Sequence, residues 1–290
     1  MPPRTSRRKE KEKPALRTTA RQPLTAGNGS SASSLTKMLS ILDLFTPKTP
    51  IWSTNKLIKS LGTSRSTAYR YIKGLHAAGL IGAVGNGFYV LGPRIVELDL
   101  QIRNCDPLHQ VGKGILAQLV DATGHSALLC QLFSNSVLCI REHLAPLSPE
   151  NLFSRGQRRP RFFGAMSKVI LAHLPNHRLP NIYERNAATI AEAKLGTTWK
   201  EFKSSLLKIR KDGFAITHGE FNPGVVGIAA PIFNTEKLIL GSVGVSFQAE
   251  ELSSVDIPKT IISVKRAARD ITQRVGKTMT GMDLPPRAVG

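Results

Sequence analysis

The side chains best equipped to do chemistry lie close together: Arg65, Ser66, Tyr69, Arg70 and Lys73, within the stretch LIKSLGTSRSTAYRYIKGLHAAGL at 57–80. Their spacing puts them on one side of a helix, because Ala68, Ile72, Leu75 and Gly79 take the three-and-four positions of the opposite side. No acid interrupts the outward set. Arginines, a lysine, a hydroxyl and a phenol suit phosphate oxygens and the base edges of a DNA major groove. An ordinary solvated basic face would carry the same residue types.

Catalysis would have to recruit Cys130, Cys139, His125, His143, His218 or Glu220, and no histidine has an evident partner. The nucleophile, base and orienting group of a covalent mechanism are therefore missing. His218 and Glu220 are too few to define a metal site and suit the lining or gate of a pocket better. No metal or cofactor is expected, and the protein is not expected to be an enzyme. Three cysteines, Cys105, Cys130 and Cys139, form no CxxC pair. They indicate neither a disulfide framework nor a zinc finger, and fit a reducing cytoplasm. Cys130 and Cys139 fall in expected strands, where a small buried thiol is the default.

The elements that must position the basic face follow from its flanks. Leu57, Ile58 and Leu61 give a preceding short helix its inward side, Gly62 supplies the sharp exit, and Ser64 caps the basic helix. Two short apolar runs, Leu80–Val84 and Phe88–Leu91, flank Gly85-Asn86-Gly87, a strong hairpin signal, and a hairpin directly after such a helix is a wing. Upstream, Leu35, Met38, Leu42 and Phe45 repeat as one buried face of a helix that begins at Ser34 and ends before Pro47 and Pro50. Residues 34–92 thus read as a winged helix-turn-helix. Pro93 opens a linker helix, 93–105, apolar on more than one side through Ile95, Val96, Leu98, Leu100 and Ile102.

A second domain, 106–277, alternates helical and extended patterns. Helices are expected at Leu108–Val120, Phe162–Leu174, Thr198–Lys211 and 255–275, and strands at His125–Phe133, Val137–Leu144, Val225–Phe233 and Leu238–Phe247. Between them, Leu147–Pro160 is polar and irregular, leading into a cluster of Arg155, Arg158, Arg159 and Arg161 that could draw an acidic ligand inward. An antiparallel sheet with packed helices makes the fold α+β, and its concave face commonly holds a small ligand.

The formal net charge is +20 over 290 residues, with a basic arm at 1–33 whose composition predicts disorder, as does that of the tail at 278–290. A polyanionic partner is the simplest implication. No apolar run reaches the length of a membrane span, and the first residues lack a secretory apolar segment.

With these pieces in order, the chain resembles the IclR family of bacterial transcriptional regulators over about Ser34 to Val275. The motifs that carry the resemblance are SRSTAYRYIKGLHAAGLI, YVLGPRI, SKVILAHLP, LLKIRKDGFAI and GEFNPGVVGIAAPIFN. It implies a winged helix-turn-helix, a dimerising linker helix and a C-terminal GAF-like sensor domain that binds a small metabolite, often an organic or aromatic acid. The implied partners are that effector, double-stranded DNA with a palindromic operator, and further copies of the chain as a dimer or dimer of dimers. By position, the family's DNA-binding residues match Ser64, Arg65, Ser66, Thr67, Tyr69, Arg70, Lys73 and, at the wing tip, Asn86. Its effector positions match Gly164, Ala165, Met166, Ser167, His218, Glu220, Gly227, Ala229 and Ser246. This sequence departs from the family pattern with Ser167 where glycine usually precedes the sensor-helix lysine, and with His218-Gly219 where an acid often precedes the glutamate. A metabolite-binding module that acts through protein partners is the alternative reading.

Overall fold

The structure, a computed structural model, describes residues 33–133, 136–146, 148 and 154–280. Most of the expected basic arm and tail, and much of the polar stretch after Leu147, lie outside them. The described chain divides into two units, 33–110 and 111–280. Among the described residues no helix is long and apolar enough to cross a membrane.

The first unit is built on three short helices. α1 (Ser34–Ser40) is capped by the Ser33 hydroxyl and runs into a 3-10 turn, Ile41–Leu44. β1 (Trp52–Ser53) precedes α2 (Thr54–Leu61), and Gly62 ends α2 in the left-handed conformation. α3 (Arg65–Ala77) follows with Ser64 as its cap. The core here is Ile41, Leu57, Tyr71, Ile72, Leu75 and Ile81. Two details depart from the expected pattern. Leu35, in the first turn of α1, is exposed, and Ile41 is fully buried where the chain switches to 3-10 geometry, a turn that changes which side faces inward. Gly79 does not extend the buried side of α3. It sits beyond the helix at φ +70° and closes a Schellman stop, with Leu80 N–H bonded to Leu75 O at 2.9 Å and Gly79 N–H to His76 O at 3.0 Å.

β2 (Ile81–Ala83) and β3 (Phe88–Leu91) make the hairpin, and β1 joins the free edge of β3, giving the order β1-β3-β2. At the tip Phe88 N–H bonds to Gly85 O at 2.9 Å across Asn86 and Gly87, both at positive φ, as a type I′ turn requires. The tip is anchored: the backbone N–H and the hydroxyl of Thr54, at the start of α2, both donate to Gly87 O at 2.8 Å. Behind the wing the chain crosses itself. A Cβ built on Gly92 would collide with the Gly79 carbonyl oxygen and come within 2.9 Å of Ile81 N. Both obstacles are backbone, so Gly92→Ala should destabilise this unit by about 3 kcal/mol, the upper end of overpacking costs. Thermal melts followed by far-ultraviolet circular dichroism should show an early transition absent from the parent chain.

α4 (Arg94–Cys105) has no buried residue. Val96, Leu100 and Ile102 are exposed, while Arg94–Glu97 and Arg103–Asp99 pair along the helix.

The second unit is an antiparallel sheet with helices packed against it, so the chain as a whole is α+β. α5 (Pro107–Thr123), whose first turn belongs to the 33–110 unit, leads to β4 (Ser126–Phe133) and β5 (Ser136–His143). β6 (Arg158–Arg159), α6 (Ala165–Ala172), α7 (Leu179–Glu192), α8 (Trp199–Asp212) and β7 (Ala215–His218) follow. β8 (Val225–Phe233), β9 (Ile239–Gln248) and α9 (Ile257–Thr280) complete it. The strand order is β6-β5-β4-β9-β8-β7. β6, β7 and α7 are absent from the sequence expectation. The two strands are short edges, and β6 consists of arginines from the stretch read as irregular. α9 continues to Thr280, three residues into the expected tail, because its i, i+4 hydroxyl and apolar contacts persist, with Val275 buried.

All eight residues of α6 are buried, Lys168 included. Its ends are both compensated. At the N-terminus Gly164 N–H donates to Glu220 Oε2 at 3.1 Å and Ala165 N–H to Thr217 Oγ1 at 3.0 Å. At the C-terminus the Arg210 guanidinium bonds to the Ala172 and Leu174 carbonyls, the latter at 2.8 Å. A carboxylate at the positive end and a cation at the negative end match the helix dipole.

Candidate functional site

Each unit presents one candidate site. In the first, α3 buries Ala68, Tyr71, Ile72 and Leu75 and exposes Arg65, Ser66, Tyr69, Arg70 and Lys73. Ser64 is spent locally: its hydroxyl caps Thr67 N–H at 3.3 Å and donates to Thr67 Oγ1 at 2.9 Å, which holds the start of the helix. Arg65 lies over the Tyr69 ring, 5.7 Å from its centroid, so the two form one planar, cationic surface one helical turn long. Asn86 is exposed at the wing tip. Tyr71 escaped the sequence reading, since a phenol one step from an outward residue gives no sign of facing in. Its partners on the inward side, Ile72 and Leu75, are the only clue.

In the second unit a cavity lies between the start of α6 and the sheet. Gly164, Ala165 and Met166 line it from the helix, Gly227 and Ser246 from paired positions of β8 and β9, and Glu220 from the turn after β7. Arg159, one of the clustered arginines, also lines it, as do Thr217, Phe221 and Asn222, which were not among the expected positions. Three expected positions do not line it. His218 is exposed at the end of β7, Ala229 is enclosed in the sheet between Ala215 and Gly244, and Ser167 is turned into the core by the helical rotation from Met166. The Ser167 hydroxyl is buried with no hydrogen-bond partner among the described residues. Gly227 leaves the floor bare: a Cβ there would meet Thr217 Oγ1 at 3.5 Å and Ala165 Cβ at 3.7 Å.

The electrostatics of the cavity are unusual in one respect. Lys168 Nζ, almost fully buried, pairs with Glu220 Oε1 at 2.6 Å and donates to Ala193 O at 2.9 Å. The same carboxylate takes the Gly164 amide, so the cation and the helix start that an anionic ligand would seek are both satisfied by the chain itself. Arg159 supplies the remaining charge. It is buried, its guanidinium lies 5.0 Å from the Phe221 ring centroid, and burial pushes its pKa below the ordinary value while the nearby Cys130 and Cys139 oppose that shift. Gly164 sits beside it at φ +82°, where a Cβ would be 3.2 Å from Arg159 Nη1, so only glycine fits. The free space is about 20 Å³, room for a water but not for an aromatic ring. Among the described residues no group of three or more His, Cys, Asp or Glu is placed to hold a metal ion.

Known proteins share both halves of this arrangement. A family model described as the IclR helix-turn-helix domain matches residues 34–84, and one described as bacterial transcriptional regulator IclR C-terminal matches 103–273. The HTH-type transcriptional regulator XynR of Escherichia coli is 25% identical over 244 residues, covering 84% of this chain and 97% of that protein. Among solved structures, a transcriptional regulator from Alicyclobacillus acidocaldarius aligns with TM-score 0.72 at 20% identity, covering 85% of this chain and 100% of that one. An IclR homologue from Microbacterium hydrocarbonoxydans, solved with 4-hydroxybenzoate, aligns with TM-score 0.69 at 18% identity, covering 84% of this chain and 99% of that one.

Proposed function

Since the chain belongs to the IclR family of bacterial transcriptional regulators, we propose that it is a cytoplasmic DNA-binding regulator, not an enzyme, whose affinity for a palindromic operator is set by a small organic acid. The observation that carries the DNA half is the exposed, acid-free face of α3, with Arg65, Tyr69, Arg70 and Lys73 directed away from the core. That helix enters the major groove, the Asn86 turn meets the adjacent backbone, and two heads read half-sites about 34 Å apart. The exposed apolar side of α4, Val96 and Leu100 foremost, supports assembly as a dimer, or a dimer of dimers.

The effector half rests on the cavity. Arg159 receives the ligand's carboxylate, Phe221 stacks beside it, and Ser246 and Thr217 offer hydroxyls. The 4-hydroxybenzoate held by the Microbacterium homologue has this chemistry, a carboxylate on a ring with a polar far end. Because the cavity as it stands has room for little more than water, an acid of that size binds only a wider form. Binding therefore shifts operator affinity to the extent that the two forms hold DNA differently.

Salt tests the DNA half. Titrating the full chain onto duplex DNA at several salt concentrations should give a log–log slope of about −0.9 per phosphate neutralised, steep if several of these cations engage the backbone. A flat response, with retention on neither heparin nor duplex, would favour a protein partner for the helix-turn-helix.

A further inference from the structure

Cys130 on β4 and Cys139 on β5 are cross-strand partners. The kind of partnership follows from their backbones. Cys139 donates its N–H to Gln157 O at 3.1 Å and receives Gly156 N–H on its carbonyl at 2.9 Å, so both its polar groups face away from β4. The Cys130 carbonyl points the other way, at Gly241 of β9. They therefore form a non-hydrogen-bonded antiparallel pair, in which Cα atoms lie about 4.5 Å apart and side chains come closest. Disulfides span Cα separations of about 4.4–6.8 Å, so this pair is bridgeable without moving a strand. The register slips by one residue just before it, between Leu129 and Cys130, which gives the local backbone play that a short bridge needs.

Both thiols are free and fully buried, and the Cys139 thiol donates to the Arg141 carbonyl at 3.3 Å. Their environments differ. Burial opposes ionisation of Cys130, yet the adjacent Cys139 thiol and the Arg159 charge outweigh it and hold its pKa below the ordinary value. The neighbouring Cys130 sulfur, with burial, pushes Cys139 well up. Arg159 is shared: its charge acts on both sulfurs, and its side chain lines the cavity described above, which admits a water-sized molecule.

We propose that Cys130 and Cys139 are a reversible dithiol–disulfide pair, oxidised by hydrogen peroxide that arrives through the Arg159 wall of the cavity. The Cys130 thiolate attacks one peroxide oxygen, the O–O bond breaks, and hydroxide leaves, giving a sulfenic acid on Cys130. The Cys139 sulfur then displaces hydroxide from that sulfur and forms the S–S bond. One peroxide takes two electrons from two thiols, and with the two thiol protons the oxygens leave as two waters. Transient, sensing disulfides are the kind that occur in reducing compartments. This inference is independent of which acid the cavity binds.

The pair can be read in a single fragment, because trypsin cuts after Lys113 and after Arg141 with no Lys or Arg between. The full chain carrying Cys105→Ser, which removes the exposed thiol, is exposed to hydrogen peroxide, quenched with catalase, then unfolded and alkylated with iodoacetamide. Peptide 114–141 should appear unalkylated and two hydrogens lighter, and should regain two alkylation sites after dithiothreitol. Adding Cys139→Ser should instead leave Cys130 as a sulfenic acid that dimedone traps. The proposal is overturned if the peptide is doubly alkylated at peroxide levels that oxidise Cys105 in the parent chain. It is equally overturned if the thiols proceed to sulfonic acids without the bridge, or if the bridge joins two chains.

Discussion

Arg70→Ala will weaken binding to the operator, selected from random duplexes by the full-length chain, by roughly 5- to 150-fold, the 1–3 kcal/mol typical of an arginine reading a base. Arg70 is exposed on the outward side of α3, away from the core residues Ile72 and Leu75, so folding should be untouched. Binding to unrelated duplex should fall much less, because nonspecific affinity is spread over many phosphate contacts. Gel-shift titrations on both duplexes separate the outcomes. Equal losses on both would make Arg70 a phosphate contact, and no loss on either would remove α3 from the groove. A sensor-unit control such as Ser246→Ala should leave operator affinity unchanged without effector.

The second large effect concerns the buried ion pair. Glu220→Ala strips Lys168 of its partner in a site where its side chain is only 7% exposed, and removes the acceptor of the Gly164 amide. Removing one member of a buried pair costs about 3–5 kcal/mol, because the other charge is left uncompensated. For a unit of this size the melting temperature should drop by about 10 °C. Replacing both residues, Lys168→Met with Glu220→Gln, should recover most of that loss, since no charge is then stranded. Scanning calorimetry of the parent, single and double variants measures it. A single variant as stable as the parent would mean that water reaches Lys168 and that the cavity is more open than its walls suggest.

The helix-turn-helix was readable because each of its signals is local. Ser64 before an apolar three-four pattern, and Asn86-Gly87 between short apolar runs, state their geometry within a few residues. The same holds for the central strands β8 and β9, which are mostly apolar and came out within a residue or so of their expected limits. What the sequence hid depends on distant partners. Arg159 reads as one more charge in a basic loop until β6 pairs Arg159 with Val137 and turns its side chain inward. Lys168 could have been outside as easily as inside its helix. Glu220, 52 residues away, and the Ala193 carbonyl together make burial tolerable. Gly79 was misread because a helix stop and a close-packed helix position can both call for glycine.

The paired hydrogen bonds from Thr54 to the Gly87 carbonyl fix how far the wing tip stands from the helices behind it. A head braced in this way does not splay to suit a groove that is too wide or too narrow, so the duplex must do the bending. Base steps that neither element touches then enter the binding energy through their stiffness. Pliable pyrimidine–purine steps between the two points of contact favour complexation, and rigid runs there oppose it.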